Sequence, residues 1–415
     1  MKRMLTVLIF LSSFTVFLSS AAALGQRAAE IPSTGFERVH DLTTDGVVFS
    51  HDPLSGLATV VIGEDSVSFH EPSGPVTRRI GKNRSSRILA SQDGNFIGLQ
   101  DIFGTDQQPR TAATIRFSLY NKGGEQLWSL TEPLDADEPV PSWYISNRGR
   151  VVTVRPTRSQ LRFLDRNGKV ERTVELFPDA PSEMERPIAC AFSADGELLA
   201  VNALQHHPRP GDEMTPREKG QSFLFLFTES GEELWRRRLE EEISGPVAIS
   251  GDGGRIAAAA FSVLGASRIE MNTHLYDRAG EWLAAVATDF RLADFSADGS
   301  RLLIGRKRDL RLVATSTGKT IWEDKLADEY GQIRAMDLSP DGTLALAATA
   351  PSRFHDGRFT FTPVHALIFD QSGEQVWEES FTEDAFDRPV ARFLHRGGGF
   401  TLSLENRCLI YEPKK

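Results

Sequence analysis

The chain has 415 residues and a formal net charge of −10, from 47 Lys and Arg against 57 Asp and Glu side chains. An acidic chain is a poor candidate for nucleic-acid binding, because the phosphate backbone requires clustered Lys and Arg. Beyond the N-terminal segment, no apolar run reaches the roughly 18 residues of a membrane-spanning helix. We therefore expect no nucleic-acid partner and no membrane span.

The N-terminal segment has the pattern of a secretory signal. Lys2 and Arg3 precede an apolar stretch from about Leu5 to Leu18, and small residues follow up to Ala23. This order predicts export with cleavage after Ala23. No Cys lies near that site, so we expect no lipid anchor and a periplasmic or secreted mature chain. The predicted divisions are a signal peptide over 1–23, a linker over 24–34 and one domain over 35–415.

A turn motif recurs along the mature chain. In Ser339-Pro340-Asp341-Gly342, Pro fixes φ near the value that the second position of a type I turn needs. Apolar strands precede and follow it, so the motif predicts a reversal between the first two strands, A and B, of a repeated unit. Close copies span 91–94, 146–149, 193–196, 250–253 and 296–299, and weaker copies span 52–56 and 395–398. We count eight such turns.

A second turn, between strands C and D, places a Gly four residues before a Trp. The clear copies are Gly124/Trp128, Gly231/Trp235, Gly318/Trp322 and Gly373/Trp377, and degenerate copies begin at Gly74, Gly168 and Gly280. A Trp ring buried between neighbouring units stabilises their packing by roughly 2–3 kcal/mol. The fixed offset therefore predicts that these rings pack unit against unit.

The two counts differ by one, and the ends of the chain explain the difference. The last unit stops after its C strand, about Arg407 to Tyr411, and the segment from Thr34 to His40 resembles a D strand without a unit. Pairing the two closes a ring and leaves no open sheet edge. The sequence thus predicts an all-β fold, a β-propeller of eight four-stranded blades whose N-terminal strand closes the last blade. Seven blades is the alternative.

The motifs carry a family resemblance. The stretch from Leu312 to Trp322 resembles the tryptophan-docking motif of eight-bladed quinoprotein-type (PQQ-like) propellers, and the Ser-x-Asp-Gly turns resemble the WD40-like repeats of exported bacterial propellers. The resemblance implies the fold and no particular chemistry. Quinoprotein dehydrogenases typically carry adjacent cysteines at the cofactor, and this chain has no Cys-Cys pair. We therefore expect no cofactor. A second relative by resemblance is the propeller lipoprotein of the bacterial outer-membrane assembly machine, which is a binding scaffold.

The two cysteines lie in distant units. Cys190 falls in an A strand of the fourth unit and Cys408 in a C strand of the last. Bridged Cα atoms must approach within about 7 Å. We predict two separate buried thiols, although a disulfide is the usual expectation for an exported chain.

Length variation is concentrated in the B–C and D–A connections, which a propeller places on one face. The longest, about Leu204 to Gly220, contains His206 and His207 beside carboxylates, but their spacing matches no established zinc pattern. The connection of the seventh unit contains Phe354, His355, Arg358, Phe359 and Phe361. Aromatic side chains with a cation are typical of partner contacts; the alternative is that the Phe rings pack beneath their own loop.

Other charged motifs have simpler interpretations. The acidic loops at 132–138, 179–185 and 383–387 match no calcium pattern, and the basic run Arg306-Lys307-Arg308 is interpreted as a solvated hairpin tip. The repeated Asp195, Asp252, Asp298 and Asp341 are predicted to cap their own turns rather than to act in catalysis.

Two functional hypotheses follow. The first is an exported, monomeric, non-enzymatic scaffold that binds a protein or cell-envelope partner through His206, His207, Phe354, His355, Arg358 and Phe359 on the long-loop face. The second is a hydrolase or lyase with a site at the mouth of the central channel, assembled from several blades. No nucleophile-elbow, phosphate-loop or zinc-protease motif is present to favour the second.

Overall fold

The computed structural model describes residues 35–43, 47–52, 57–63, 65–70, 76–82, 86–103, 113–134, 139–178, 188–206, 220–264, 268–355, 358–382, 389–394, 398–404 and 406–414. The predicted signal peptide and linker lie outside these residues, as do His207 and the acidic loops at 179–185 and 383–387. No helix in the described ranges is long and apolar enough to cross a membrane.

The first four blades follow one another in chain order after the strand β1 (Phe36–Thr43). Blade 1 has β2 (Val47–Asp52), β3 (Leu57–Ile62), β4 (Ser66–His70) and β5 (Val76–Gly81), and blade 2 has β6 (Arg87–Ala90), β7 (Phe96–Phe103), β8 (Ala113–Asn121) and β9 (Gln126–Leu134). Blade 3 has β10 (Ser142–Ile145), β11 (Val151–Arg155), β12 (Gln160–Leu164) and β13 (Val170–Glu175), and blade 4 has β14 (Ile188–Phe192), β15 (Leu198–His206), β16 (Gly220–Thr228) and β17 (Glu233–Arg238).

The remaining blades continue the pattern, and one of them carries an inserted hairpin. Blade 5 has β18 (Ile243–Ile249), β19 (Arg255–Leu264), β20 (Arg268–Asp277) and β21 (Trp282–Val286), and blade 6 has β22 (Leu292–Phe295), β23 (Arg301–Arg306), β24 (Asp309–Ala314) and β25 (Thr320–Lys325). Blade 7 has β26 (Gln332–Leu338), β27 (Ala345–Ala350), β30 (Val364–Phe369) and β31 (Gln375–Phe381), with the hairpin β28 (Ser352–His355) and β29 (Arg358–Phe361) between its second and third strands. Two short 3-10 helices span Pro156–Arg158 and Asp328–Tyr330.

The ring closes as predicted. Strands β32 (Val390–Phe393), β33 (Phe400–Leu404) and β34 (Arg407–Pro413) form blade 8 with β1 as their fourth strand. The pairing of β1 with β34 is antiparallel, and Phe36 lies opposite Pro413. Phe36 is buried and its ring packs edge-on against Phe400 with centroids 5.2 Å apart. The structure is therefore an eight-bladed β-propeller, and the seven-blade alternative is wrong.

The A–B turns have the capping chemistry predicted for them. In the turn of blade 7, the Gly342 amide donates to the Ser339 carbonyl at 2.7 Å. The Asp341 carboxylate accepts from the Ser339 hydroxyl at 2.7 Å and from the Thr343 amide at 3.0 Å. Equivalent bonds recur at Asp93, Asp195, Asp252 and Asp298. The interpretation of these aspartates as turn caps is confirmed.

The C–D glycines mark where neighbouring blades touch. Gly168, Gly280 and Gly373 have φ values of +78°, +79° and +85°, a region that favours glycine. A Cβ added to Gly373 would lie 2.8 Å from Trp322 of blade 6, and one added to Gly280 would lie 2.8 Å from Trp235 of blade 4. Each of these Trp rings thus covers the turn of the following blade, which confirms the predicted packing of unit against unit.

Both cysteines are free and buried, Cys190 in blade 4 and Cys408 in blade 8. Burial raises the pKa of the Cys190 thiol and raises that of Cys408 to about 12. The prediction of two separate buried thiols is confirmed.

Candidate partner-binding face

The connections from B to C strands and from D to A strands lie together on one face, which we call the long-connection face. The A–B and C–D turns occupy the opposite end of the blades. Thirteen residues, 207–219, separate β15 from β16 in blade 4, whereas two, 307–308, separate β23 from β24 in blade 6. Length variation is therefore concentrated on this face, where a rigid scaffold most often carries its binding residues.

The predicted histidine loop is shorter than the sequence suggested. Strand β15 extends to His206, whose backbone pairs with Gly220 at the start of β16. The prediction that the loop begins near Leu204 is wrong, because Leu204 and Gln205 continue the strand ladder. His206 thus ends a strand, and His207 falls outside the described residues. Within those residues no group of three His, Cys, Asp or Glu side chains is arranged to hold a metal ion.

The seventh connection is a hairpin, not the loop that the sequence suggested. Phe354 pairs with Phe359 across β28 and β29, and their ring centroids lie 5.0 Å apart. Phe354 is 66% exposed and Phe359 is 56% exposed, whereas Phe361 is 6% exposed. The alternative in which the Phe rings pack beneath their own loop therefore holds for Phe361 alone. His355 and Arg358 pair through their backbones at the end of the hairpin.

The base of this hairpin is held by the first strand of blade 7. The Arg334 guanidinium lies over the Phe361 ring at 5.1 Å, and its Nε donates to the Ala350 carbonyl at 3.0 Å. These contacts fix the buried end of the hairpin. The pair Phe354 and Phe359 is consequently presented to solvent by an anchored support.

A second projecting hairpin was missed in the sequence. Strands β19 and β20 are each 10 residues long. Strand β19 continues beyond Phe261, where its pairing with β18 ends, and β20 begins before Thr273, where its pairing with β21 starts. Near its tip Val263 is 46% exposed and Ile269 is 58% exposed. The signal was available, because apolar Ile269 and Met271 alternate with polar Arg268, Glu270 and Asn272 in the period of a strand.

A buried carboxylate anchors that second hairpin. Glu241, in the connection between blades 4 and 5, accepts from Asn272 Nδ2 at 2.8 Å and lies 2.8 Å from His274 Nε2. Burial tends to raise the pKa of Glu241, but the hydrogen bonds from His274 and Asn272 outweigh it, so the pKa lies below its usual value. The ionised carboxylate therefore fixes β20 to the blade 4 side.

Most charged side chains in the turns described next form ion pairs. Arg306 contacts Asp289 and Arg308 contacts Asp328, while Lys307 is exposed at the tip between them. The basic run is thus a hairpin tip, as predicted.

In the acidic loop at 132–138, Glu132 belongs to β9 and binds Arg155 at 3.0 Å and Arg162 at 2.7 Å. Residues 135–138 lie outside the described ranges.

The hypothesis of an enzyme site at the channel mouth gains no support from the crevice between blades 1 and 2. That crevice is too narrow to admit a water molecule. Its lining is apolar apart from Tyr120, and the residues are Val67, Phe69, Ile80, Ile88, Ile97, Leu99 and Tyr120. This crevice is part of the packing between blades. The enzyme alternative stays a hypothesis.

Comparison with known proteins identifies the fold of the chain but no family. No known protein family and no curated protein matches the sequence. Among solved structures, the chain is similar to the Dos1 propeller (TM-score 0.56, 11% identity, covering 91% of this chain and 95% of that one). It is also similar to the C-terminal WD40 domain of Sif2 (TM-score 0.53, 10% identity, covering 92% and 99%). At these identities the likeness shows the β-propeller fold alone.

Proposed function

We propose that this protein is a non-enzymatic scaffold that binds a partner on its long-connection face. The observation that carries the proposal is the exposed pair Phe354 and Phe359 on an anchored hairpin. Aromatic side chains dominate the energetics of protein interfaces. Two adjacent phenyl rings in water lack the favourable free energy that burial of their apolar surface would contribute. A propeller fold of this kind is typical of scaffolds that bind partners.

We further propose that the scaffold is exported and monomeric and that its partner is a protein or a component of the cell envelope. The support is the signal pattern over residues 1–23 and the acidic balance of the chain, which disfavours nucleic acid. The PQQ-like type remains part of this proposal. Its support is the set of Trp rings that cover the turns of following blades.

The test is an affinity capture from cell-envelope extract with residues 24–415 as bait. The double variant Phe354→Ser/Phe359→Ser removes the exposed rings without touching the anchored base. Trp282→Ser is the matched control, because Trp282 is 59% exposed but lies at the C–D turn on the opposite face. We expect a partner held by the parent and by Trp282→Ser and lost by the double variant, with unchanged circular dichroism. Capture of nothing, or equal capture by all three baits, would contradict the proposal.

A further inference from the structure

Blade 6 forms a low saddle between two higher neighbours on the long-connection face. Its two-residue turn lies between the β19–β20 hairpin of blade 5 and the start of β26 in blade 7. Contacts fix this order: Arg306 Nη2 lies 3.3 Å from Met271 Sδ of blade 5, and the Ile333 amide of blade 7 donates to the Lys307 carbonyl at 2.7 Å. The three elements therefore form one continuous surface, which we call the blade 6 saddle.

One wall of the saddle is apolar. Phe261 pairs with Met271 and Val263 pairs with Ile269, so these four side chains share one face of the hairpin. The contact of Met271 with Arg306 turns this face towards blade 6. The opposite face carries Asn272, which Glu241 holds on the blade 4 side. The exposed part of the apolar face, Val263 and Ile269, thus borders the saddle and not the outer rim.

The floor of the saddle presents one exposed cation. Arg306 and Arg308 are paired with Asp289 and Asp328, and Lys307 at the tip of the turn is the exposed residue of the three. Lys307 is exposed and has a φ of +52°, a conformation that non-glycine residues rarely adopt. In a chain whose net charge is −10, an exposed cation beside apolar side chains matches an acidic ligand in charge.

The floor and the near side of the saddle differ in character. A ligand that follows the saddle meets the exposed cation Lys307 on its floor and the apolar side chains Val263 and Ile269 on its near side. This asymmetry suits a chain whose side chains alternate in character, because successive side chains of an extended peptide point in opposite directions.

We propose that the blade 6 saddle binds an extended acidic segment of a partner protein, in which carboxylates alternate with apolar side chains. The apolar side chains pack on Val263 and Ile269, and the carboxylates face Lys307. The proposal rests on the partner-binding function given above and names a second contact area and its chemistry.

The test uses fluorescein-labelled peptides of about 12 residues that alternate Glu with Val or Leu, measured by fluorescence anisotropy. Matched peptides replace Glu with Lys, or Val and Leu with Ser. We expect saturable binding of the Glu peptides to the parent, weakened at least about tenfold by Lys307→Glu and by Val263→Ser/Ile269→Ser. The variant Phe354→Ser/Phe359→Ser should bind these peptides as the parent does, and circular dichroism should show that all variants fold.

Three outcomes would overturn the inference: no saturation by any Glu peptide at millimolar concentration, equal binding of the Lys peptides, or full binding by both saddle variants. Tighter binding of a single-stranded oligonucleotide than of the Glu peptides would identify a general polyanion site and would also overturn it. Loss of capture by the Phe354→Ser/Phe359→Ser bait alongside intact peptide binding by the saddle variants would reject the saddle alone. Absence of any captured partner would reject the broader function.

Discussion

At the residue scale, short-range polar chemistry shapes the turns that define each blade. Asp298 in blade 6 accepts from the Ser296 hydroxyl at 2.6 Å and from the Ser300 amide at 3.0 Å. Asp370 caps a C–D turn in the same way, because its carboxylate accepts from the amides of Ser372 and Glu374. Burial opposes ionisation of these carboxylates, but the donors outweigh it and lower the pKa of each below its usual value.

The lowered pKa values of these turn carboxylates predict that the folded protein becomes less stable in acid. The pKa of Asp298 is lower in the folded protein than in the unfolded chain, where it is about 4. The stabilisation by the ionised form is therefore complete above about pH 4 and is lost as the pH falls through the lower folded value. We expect Asp298→Asn to lower the free energy of unfolding by about 1 kcal/mol at neutral pH, and this difference to shrink as the pH falls below about 4.

Urea denaturation of both proteins at several pH values measures that difference. Asp309→Asn is the matched control, because Asp309 is an exposed carboxylate of the same blade at the start of a strand rather than in a capped turn. A difference that does not change with pH, or one that Asp309→Asn reproduces, would show that the turn carboxylate does not contribute in this way.

At the scale of the element, each D strand is an edge of its own blade and a support for the next one. Trp322 in β25 is 7% exposed, and its ring stacks on Phe369 of blade 7 with centroids 5.9 Å apart. Trp282 lies two positions early in its unit and is 59% exposed. Of these two D-strand tryptophans, the one at the fixed offset after the C–D glycine packs on the next blade and the displaced one lies at the surface.

The pair allows a matched test of blade packing. We expect Trp322→Ala to lower the free energy of unfolding by about 3–5 kcal/mol, because it leaves a cavity between blades 6 and 7. Trp282→Ala should change it by less than about 0.5 kcal/mol, since no packed environment is lost. Chemical denaturation followed by circular dichroism measures both. Similar effects of the two substitutions would contradict the assignment of Trp322 as the support of the next blade.

At the scale of the whole molecule, the ring is joined by non-covalent contacts between its two ends. The Lys414 amide donates to the Gly35 carbonyl at 3.0 Å, and Gly35 has a φ of +80° like the C–D glycines. Arg38 of β1 also binds Glu379 of blade 7 at 2.6 Å. Gly35 therefore occupies the C–D turn position of blade 8, although the chain is not continuous there.

This geometry predicts a successful circular permutant. Joining Lys415 to Thr34 by a short flexible linker and opening the chain between Thr43 and Val47 keeps β1 beside β34 while making blade 8 continuous. We expect the permutant to remain monomeric with a denaturation midpoint close to that of residues 24–415. A chain that lacks residues 35–43 should instead aggregate or unfold early, because the edge of β34 and the core around Phe400 are uncovered.

Size-exclusion chromatography and chemical denaturation distinguish the two chains. If the chain without residues 35–43 matched the parent in both measurements, closure by β1 would not be required for stability. If the permutant failed to fold, the pairing of β1 with β34 would not be sufficient to complete blade 8.

The sequence by itself predicted eight blades, with seven as the alternative, together with the turns and the way the ring closes. These features rest on local chemistry, because a Ser-x-Asp-Gly turn or a Gly followed by Trp has the same meaning wherever it occurs. Counting them was enough to assign Phe36 and its neighbours to blade 8 and to separate Cys190 from Cys408. Of the candidate site, the sequence located Phe354 and Phe359 but not the hairpin that carries them.

Only the tertiary structure decided which side chains meet across blades. Strand register, and the length by which a hairpin extends beyond the neighbouring strands, decide these contacts. They place Glu241 against Asn272 and Met271 against Arg306. They also leave Phe354 exposed while Phe361 is buried. These contacts join residues from separate loops or blades, so no local motif encodes them. The physical reason is that a propeller repeats its turns from blade to blade, whereas the proposed binding face is formed by the connections in which the repeats differ.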